Sequence, residues 1–207
     1  MTRRLLAASL AAAAITTACS GSSSPAPGSP SPTASPGPST LAVGKSDLAL
    51  TAGTYRSPEG FLPPLLLDLP AGWTSVHRAA DAFDIGRAAA AGDAPDVAVI
   101  FMTPAEDTAA AAIAAVRGRV TGTVRSVGGT VGGRPAQGLD ISGGKGELAS
   151  STAGAISIDA GPGQRERVLA VDAAGRPLLV IVLVPDAKRW AAVLPDAVRL
   201  FSGLRFA

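Results

Sequence analysis

The chain is 207 residues long, with 18 lysines and arginines against 16 aspartates and glutamates, one histidine and one cysteine. A single imidazole and a single thiol exclude the usual four-ligand zinc sites and argue against a Cys-His nucleophile pair. The sequence contains no asparagine, which excludes N-glycosylation.

At the start, Arg3 and Arg4 precede an uncharged apolar stretch, Leu5 to Ala18, that ends in small side chains. This is the layout of a secretory signal over residues 1–18. The stretch is shorter than the ~20 residues a helix needs to cross a bilayer, so removal is expected rather than a transmembrane anchor. Cys19 follows directly on Thr16, Thr17 and Ala18. The segment "ITTACSG", Ile15 to Gly21, resembles the bacterial lipobox, with Thr16 standing where that motif usually has leucine. The resemblance implies a diacylglyceryl group on the Cys19 thiol, cleavage before it and further acylation of the new amine, which makes the membrane a partner. Each buried methylene contributes about 0.8 kcal/mol, and two or more chains hold stably. The alternative is an ordinary secreted protein with a free thiol, a liability in an oxidising compartment. "TRRLL", Thr2 to Leu6, also partly matches a twin-arginine export signal, so both export routes stay open.

Residues 19–40 join this cysteine to the rest of the chain. Ser20 to Thr40 carries no charge and almost no side chain able to build a core, which predicts a disordered Ser/Pro/Gly-rich tether. Its 21 residues reach roughly 25 Å as a coil or about 65 Å if proline holds them extended. Its Ser, Thr and Pro content also suits O-linked sugar. Losing Arg3 and Arg4 with the signal takes two from the 18 basic residues, leaving 16 to balance the 16 acids. No clustered basic face or aromatic interleaving remains, and nucleic acid is not expected as a partner.

Residues 41–207 have the size of one domain with a single core. Leu65 to Leu69 is a short apolar run stopped by Pro70 and Gly72, and Asp96 to Thr103 is β-branched and apolar; both are predicted strands. "TPAE" then predicts a helix start, with Thr103 as cap, Pro104 at the first position and Glu106 completing a capping box, and the helix runs to about Arg117. Its alanines, with Ile113 and Val116, are expected to face a sheet. Glu106 and Asp107 are read as first-turn residues favoured by the helix dipole rather than as an acid pair for catalysis or metal.

Strands return after Gly118. Thr121 to Val131 and Arg134 to Ser142 flank Gly132 and Gly133, a hairpin signal. Ala153 to Ala160, Arg165 to Asp172 and Pro177 to Val184 continue the meander, and the wholly apolar Leu178 to Val184 is expected to be a central strand covered on both faces. From Asp186 onward Trp190, Val193, Leu194, Ala197 and Phe201 form a helical stripe, which Pro195 is expected to kink or split. The fold class is α+β: an antiparallel sheet of about six or more strands covered by helices, one inserted mid-chain and one at the C-terminus.

These motifs together resemble a known family. "FLPPLLLDLPAGW", Phe61 to Trp73, looks like the opening strand and turn of PsbP-like domains, "VGGRPAQGLDI" resembles the family's glycine hairpin, and "LFSGLRF" its terminal helix. The order covers nearly all of Leu41 to Ala207. The resemblance implies the PsbP-like fold and a common theme of binding other proteins, and it supplies no catalytic residue and no metal ligand to carry over.

Other constellations are read as structural. His77 lacks the elbow a Ser-His-Asp triad needs and is expected on the surface or in a loop. Gly44 to Ser46 lacks the earlier glycine of a phosphate loop, and Gly143 to Ala149, a degenerate nucleotide-binding pattern, is expected to be a flexible hairpin loop. Asp81, Asp84, Asp93 and Asp96 are expected to serve turn chemistry rather than calcium. Taken together, the expectation is a lipid-anchored module on the outer face of the cytoplasmic membrane, not an enzyme, without cofactor or metal, binding a protein or other envelope component. A carrier of lipid or another apolar ligand is the alternative, and an envelope hydrolase is the third class.

Overall fold

The computed structural model describes residues 37–41, 48–88, 95–151 and 156–207. Among them, eight strands make the main sheet. In chain order these are β2 (Leu48–Leu50), β5 (Trp73–Ala79), β6 (Ala82–Ala88), β7 (Pro95–Met102), β8 (Thr123–Val131), β9 (Arg134–Ser142), β12 (Arg165–Ala173) and β13 (Arg176–Val184). Across the sheet the order is β2-β5-β6-β7-β13-β12-β9-β8, antiparallel throughout.

The sheet forms because its strands alternate in what they present. Along β13, Leu178, Val180, Val182 and Val184 enter one core while Leu179 and Ile181 enter the other. That is why a strand with no polar face sits at the centre.

Each face is covered differently. On one lies the helix α2 (Trp190–Gly203), together with a smaller sheet of β1 (Ser39–Thr40), β3 (Gly53–Arg56), β4 (Leu65–Leu69) and β14 (Arg205–Phe206) in the order β1-β3-β4-β14. This core holds the aromatic side chains: Phe83 stacks on Phe101 at 4.9 Å between ring centroids, and Phe61 meets Phe83 edge-on at 4.8 Å. On the other face lie the helix α1 (Ala109–Arg119) and a separate hairpin of β10 (Gly146–Ser150) and β11 (Ser157–Ala160). Here Ala109, Ala112, Ile113 and Val116 of α1 pack against Leu139, Ile141, Val168 and Ile181. Glycine is required by geometry at two places. Gly132 and Gly133 make the β8–β9 turn with φ of +57° and +74°, and a Cβ on Gly138 would fall 2.1 Å from the Val168 carbonyl oxygen.

Several expectations shift. The mid-chain helix starts at Ala109, not after Thr103, because Thr108 supplies the cap, accepting from the Ala111 N–H at 3.1 Å, and Asp172 Oδ1 accepts from the Ala109 N–H at 2.8 Å. The Thr103 hydroxyl is spent on the Leu62 carbonyl, and Pro104 bridges to Ser151. Glu106 and Asp107 therefore precede the helix, and Glu106 pairs with Arg119 at 3.6 Å. α2 runs through Pro195 without splitting; the bond lost is the one to the carbonyl of exposed Ala191, which solvent can satisfy. The segment Gly146 to Ala149, expected in a flexible loop, is strand β10, anchored by buried Leu148 and Ala149. Ser39 and Thr40, given to the tether by composition, pair in parallel with β3 because Leu41 beside them is buried and its N–H bonds Arg56.

Candidate functional site

Where the main sheet, the small sheet and α2 meet, side chains from several elements converge on a cleft of about 190 Å³, lined by Asp68, Pro70, Trp73, Arg87, Asp196, Arg199 and Leu200. Each side chain has a local reason for its place. Trp73 begins β5 after the Pro70–Gly72 turn and is buried, so its ring forms a floor. Arg87, near the end of β6, lies over that ring at 5.7 Å and pairs with Asp196. Asp196 also holds Arg199, one helical turn on, at 2.9 Å. Across the cleft Asp68 of β4 pairs with Arg205 of β14 at 3.1 Å and accepts from the Thr54 hydroxyl at 2.6 Å. The charges alternate, so each guanidinium is oriented by a carboxylate while Arg199 and Arg205 keep most of their surface in water. This arrangement offers fixed donors, acceptors and an aromatic surface. Among the described residues its lining is two carboxylates, two guanidiniums, an indole, a proline and a leucine.

A second constellation lies at the N-terminal end of α2. Arg165 and Arg167 of β12 lie 4.7 Å and 5.9 Å from the Trp190 ring, and Arg167 is held by both oxygens of Asp140 at 2.7 and 2.9 Å. Alternation sends the intervening Glu166 to the opposite face, where it is fully buried beside Val168. Burial pushes its carboxyl up from the ordinary 4.5 to about 7; the Gly161 N–H pulls the other way, yet neither carboxyl oxygen completes a hydrogen bond among the described residues. Two further clefts are rimmed by loops: one of about 410 Å³ around Arg56 to Leu62, where Leu62 is exposed, and one of about 310 Å³ that takes in Glu106, Asp107 and Arg176.

The residues singled out from the sequence are not brought together. Cys19, Asp93 and Gly44 to Ser46 lie outside the described residues. The backbone of His77 is in strand β5, opposite Phe83, rather than in a loop. Asp81 occupies the β5–β6 turn as expected, but Asp84 is buried within β6 and Asp96 is in β7, paired with Arg189. Among the described residues no group of three or more His, Cys, Asp or Glu is placed to hold a metal ion, and no helix is long and apolar enough to cross a membrane. The residues that do stand out, Arg87, Asp196 and Glu166, are not among the sequence candidates. Two signals could have found them: Asp196 sits three residues after Val193 and four before Leu200, beside the apolar stripe, and strand alternation in "RERVLAV" sets Glu166 on the same face as Val168 and Ala170.

No family model matches the sequence, and no curated protein does. Solved structures to which the chain is similar include a protein from Bacteroides thetaiotaomicron (7% identity, TM-score 0.41, 69% of this chain and 45% of that one). They also include the cyanobacterial PsbP of Synechocystis sp. PCC 6803 (13%, 0.40, 69% and 86%) and LpqN of Mycobacterium tuberculosis, described as involved in cell envelope biogenesis (14%, 0.36, 68% and 82%). The chain thus spans less than half the length of the Bacteroides protein.

Proposed function

We propose that the chain is an extracytoplasmic lipoprotein, held through Cys19 on the outer face of the bacterial cytoplasmic membrane, whose α+β unit is a non-enzymatic binding or adaptor module for an envelope component. The observation that carries this reading is an order of parts in the sequence: an apolar signal, a lone cysteine after small residues, an uncharged Ser/Pro stretch, then a folded unit. An anchor and a tether place a module at a surface, where its exposed side chains meet neighbours.

The cleft beside α2 suits binding, since it presents pre-oriented arginines over a tryptophan floor. A carrier of apolar ligand has less support. The interior positions are filled by Phe83, Phe101, Leu65, Leu67 and Ile141, each 1% exposed or less, and the α2 cleft is bordered by charge.

Two arms test this reading in cells making the full chain. Wild type should pellet with membranes and Cys19→Ala should not; a wild type in the soluble fraction overturns the anchor. A photo-crosslinker at position 199 should capture a defined envelope component, and capture should fall at least tenfold when Arg87 and Asp196 are both changed to Ala. Unchanged capture overturns the cleft as the binding face.

A further inference from the structure

β12 turns two acids to the α1 side: Asp172, exposed and accepting from the Ala109 N–H, and Glu166, which is fully buried among apolar side chains. On the neighbouring strands it stands opposite Ile141 of β9 and Leu183 of β13, with Val168 next on its own face. Above it runs the end of the β10–β11 hairpin. Ala160 and Ile158 pack in the same core, and Gly144 fits between Ile141 and Ala160 only because it lacks a Cβ, which would lie 2.8 Å from one and 3.5 Å from the other. The hairpin forms its own two-stranded sheet, with no strand pairing to the main one. Its β10 side is tied down by the Thr121 N–H to the Lys145 carbonyl at 2.9 Å, the Pro104–Ser151 bridge and the Arg119–Glu147 pair, whereas the buried residues of β11, Ile158 and Ala160, are held by side-chain packing.

The charged groups on the elements packed around it are turned away, engaged elsewhere or exposed: Asp172 of its own strand accepts from the Ala109 N–H, and Lys145, just before β10, is exposed. Arg165 and Arg167 lie against Trp190 on the opposite face, and Asp140 of β9 holds Arg167. Arg119 of α1 pairs with Glu147 of β10 and Glu106. Asp159 of β11 is exposed opposite Glu147, and Asp96 of β7 holds Arg189. Thus no described cation faces the Glu166 carboxyl, while Gly161 alone turns a main-chain N–H toward it.

We propose that Glu166 is a proton-operated latch for the β10–β11 hairpin. With the carboxyl neutral, the hairpin closes on the sheet and Glu166 is sealed in. With the carboxylate ionised, the apolar site no longer tolerates it, and the β11 end lifts so that water reaches the charge. A route to solvent that leaves the main sheet intact passes Ala160 and Gly161, because the strands on either side of Glu166 are hydrogen-bonded within that sheet. Opening also uncovers Ile158, Leu148 and Ile141, so the latch would make an apolar face available only above a threshold pH.

Hydrogen exchange of the full chain, corrected for intrinsic rates and read by mass spectrometry at pH 5 and pH 8, tests the latch. Opening of segments 146–150 and 157–161 should rise on the order of 50-fold between the two pH values, as a group that ionises near 7 closed and near 4.5 open requires, while β12 and β13 keep their protection. In Glu166→Gln the hairpin should exchange with the same protection at both. Equal protection of the wild-type hairpin at both pH values overturns the proposal. So does a loss shared equally by β12 and β13, or a loss that persists in the Gln variant; the first two outcomes need no variant to fold. None of these results bears on Cys19 or the α2 cleft, so this inference and the proposed function fail separately.

Discussion

The two faces of the main sheet are covered by different materials. The α2 face is closed by large side chains: Phe61, Phe83, Phe101, Trp73, Trp190 and Phe201 are all buried there, and ion pairs rim it. The α1 face contains no aromatic residue among its buried side chains; it is closed by alanines of the helix and by the hairpin, and it takes in a carboxyl. The difference teaches where each face is vulnerable. Removing atoms damages the first, because large rings leave large cavities. Adding atoms or charge damages the second, because the close approach leaves no room for either.

Phe101→Ala should break the α2 face most severely, lowering stability by about 3 to 5 kcal/mol in chemical denaturation, since the ring is fully buried and stacked on Phe83. Glu166→Gln sharpens the other side of the comparison through its pH dependence. The native carboxyl ionises at about 7 and the unfolded one near 4.5, so the unfolded state releases its proton first. The wild type therefore loses stability as pH rises from 4.5 to 7. The variant should be about as stable as wild type at pH 4 and more stable by about 3 kcal/mol at pH 8, checked by urea midpoints at both. Ala112→Leu, an addition rather than a deletion, should cost about 1 to 3 kcal/mol where the helix meets the sheet. The smallest effect belongs to the cap: Thr108→Ala should cost about 1 kcal/mol and fray α1 from its N-terminus, visible as faster amide exchange at Ala111 and Ala112.

This asymmetry is partly legible in the sequence. Strands dominated by apolar or β-branched residues, β4, β7 and β13, declare themselves because burial on one or both faces demands such residues. β5 and β6 do not, since "WTSVHRA" and "AFDIGRA" put Ser75, Asp84 and Gly86 at buried positions, breaking the alternation that marks a strand. β10 is hidden by Gly146 at its start and by Gly143 and Gly144 just before it. The start of α1 is misread from the sequence because Thr103 and Pro104 have good capping chemistry that the fold uses for tertiary contacts instead. Of the candidate sites, the proposed anchor rests on a contiguous signal, a cysteine after small residues. The cleft does not: Asp68, Arg87 and Asp196 are brought together by three separate elements, and only the fold reveals that they meet.

The central claim is that this unit works at a membrane surface by virtue of one acylated residue. Intact-mass and N-terminal peptide mass spectrometry of the mature protein, extracted in detergent from the bacterial envelope, tests it most directly. The account predicts a chain beginning at Cys19 and carrying the added mass of a diacylglyceryl group, with a further acyl chain where the amine is modified. A mature chain that begins elsewhere, or a Cys19 thiol free of lipid, would contradict it.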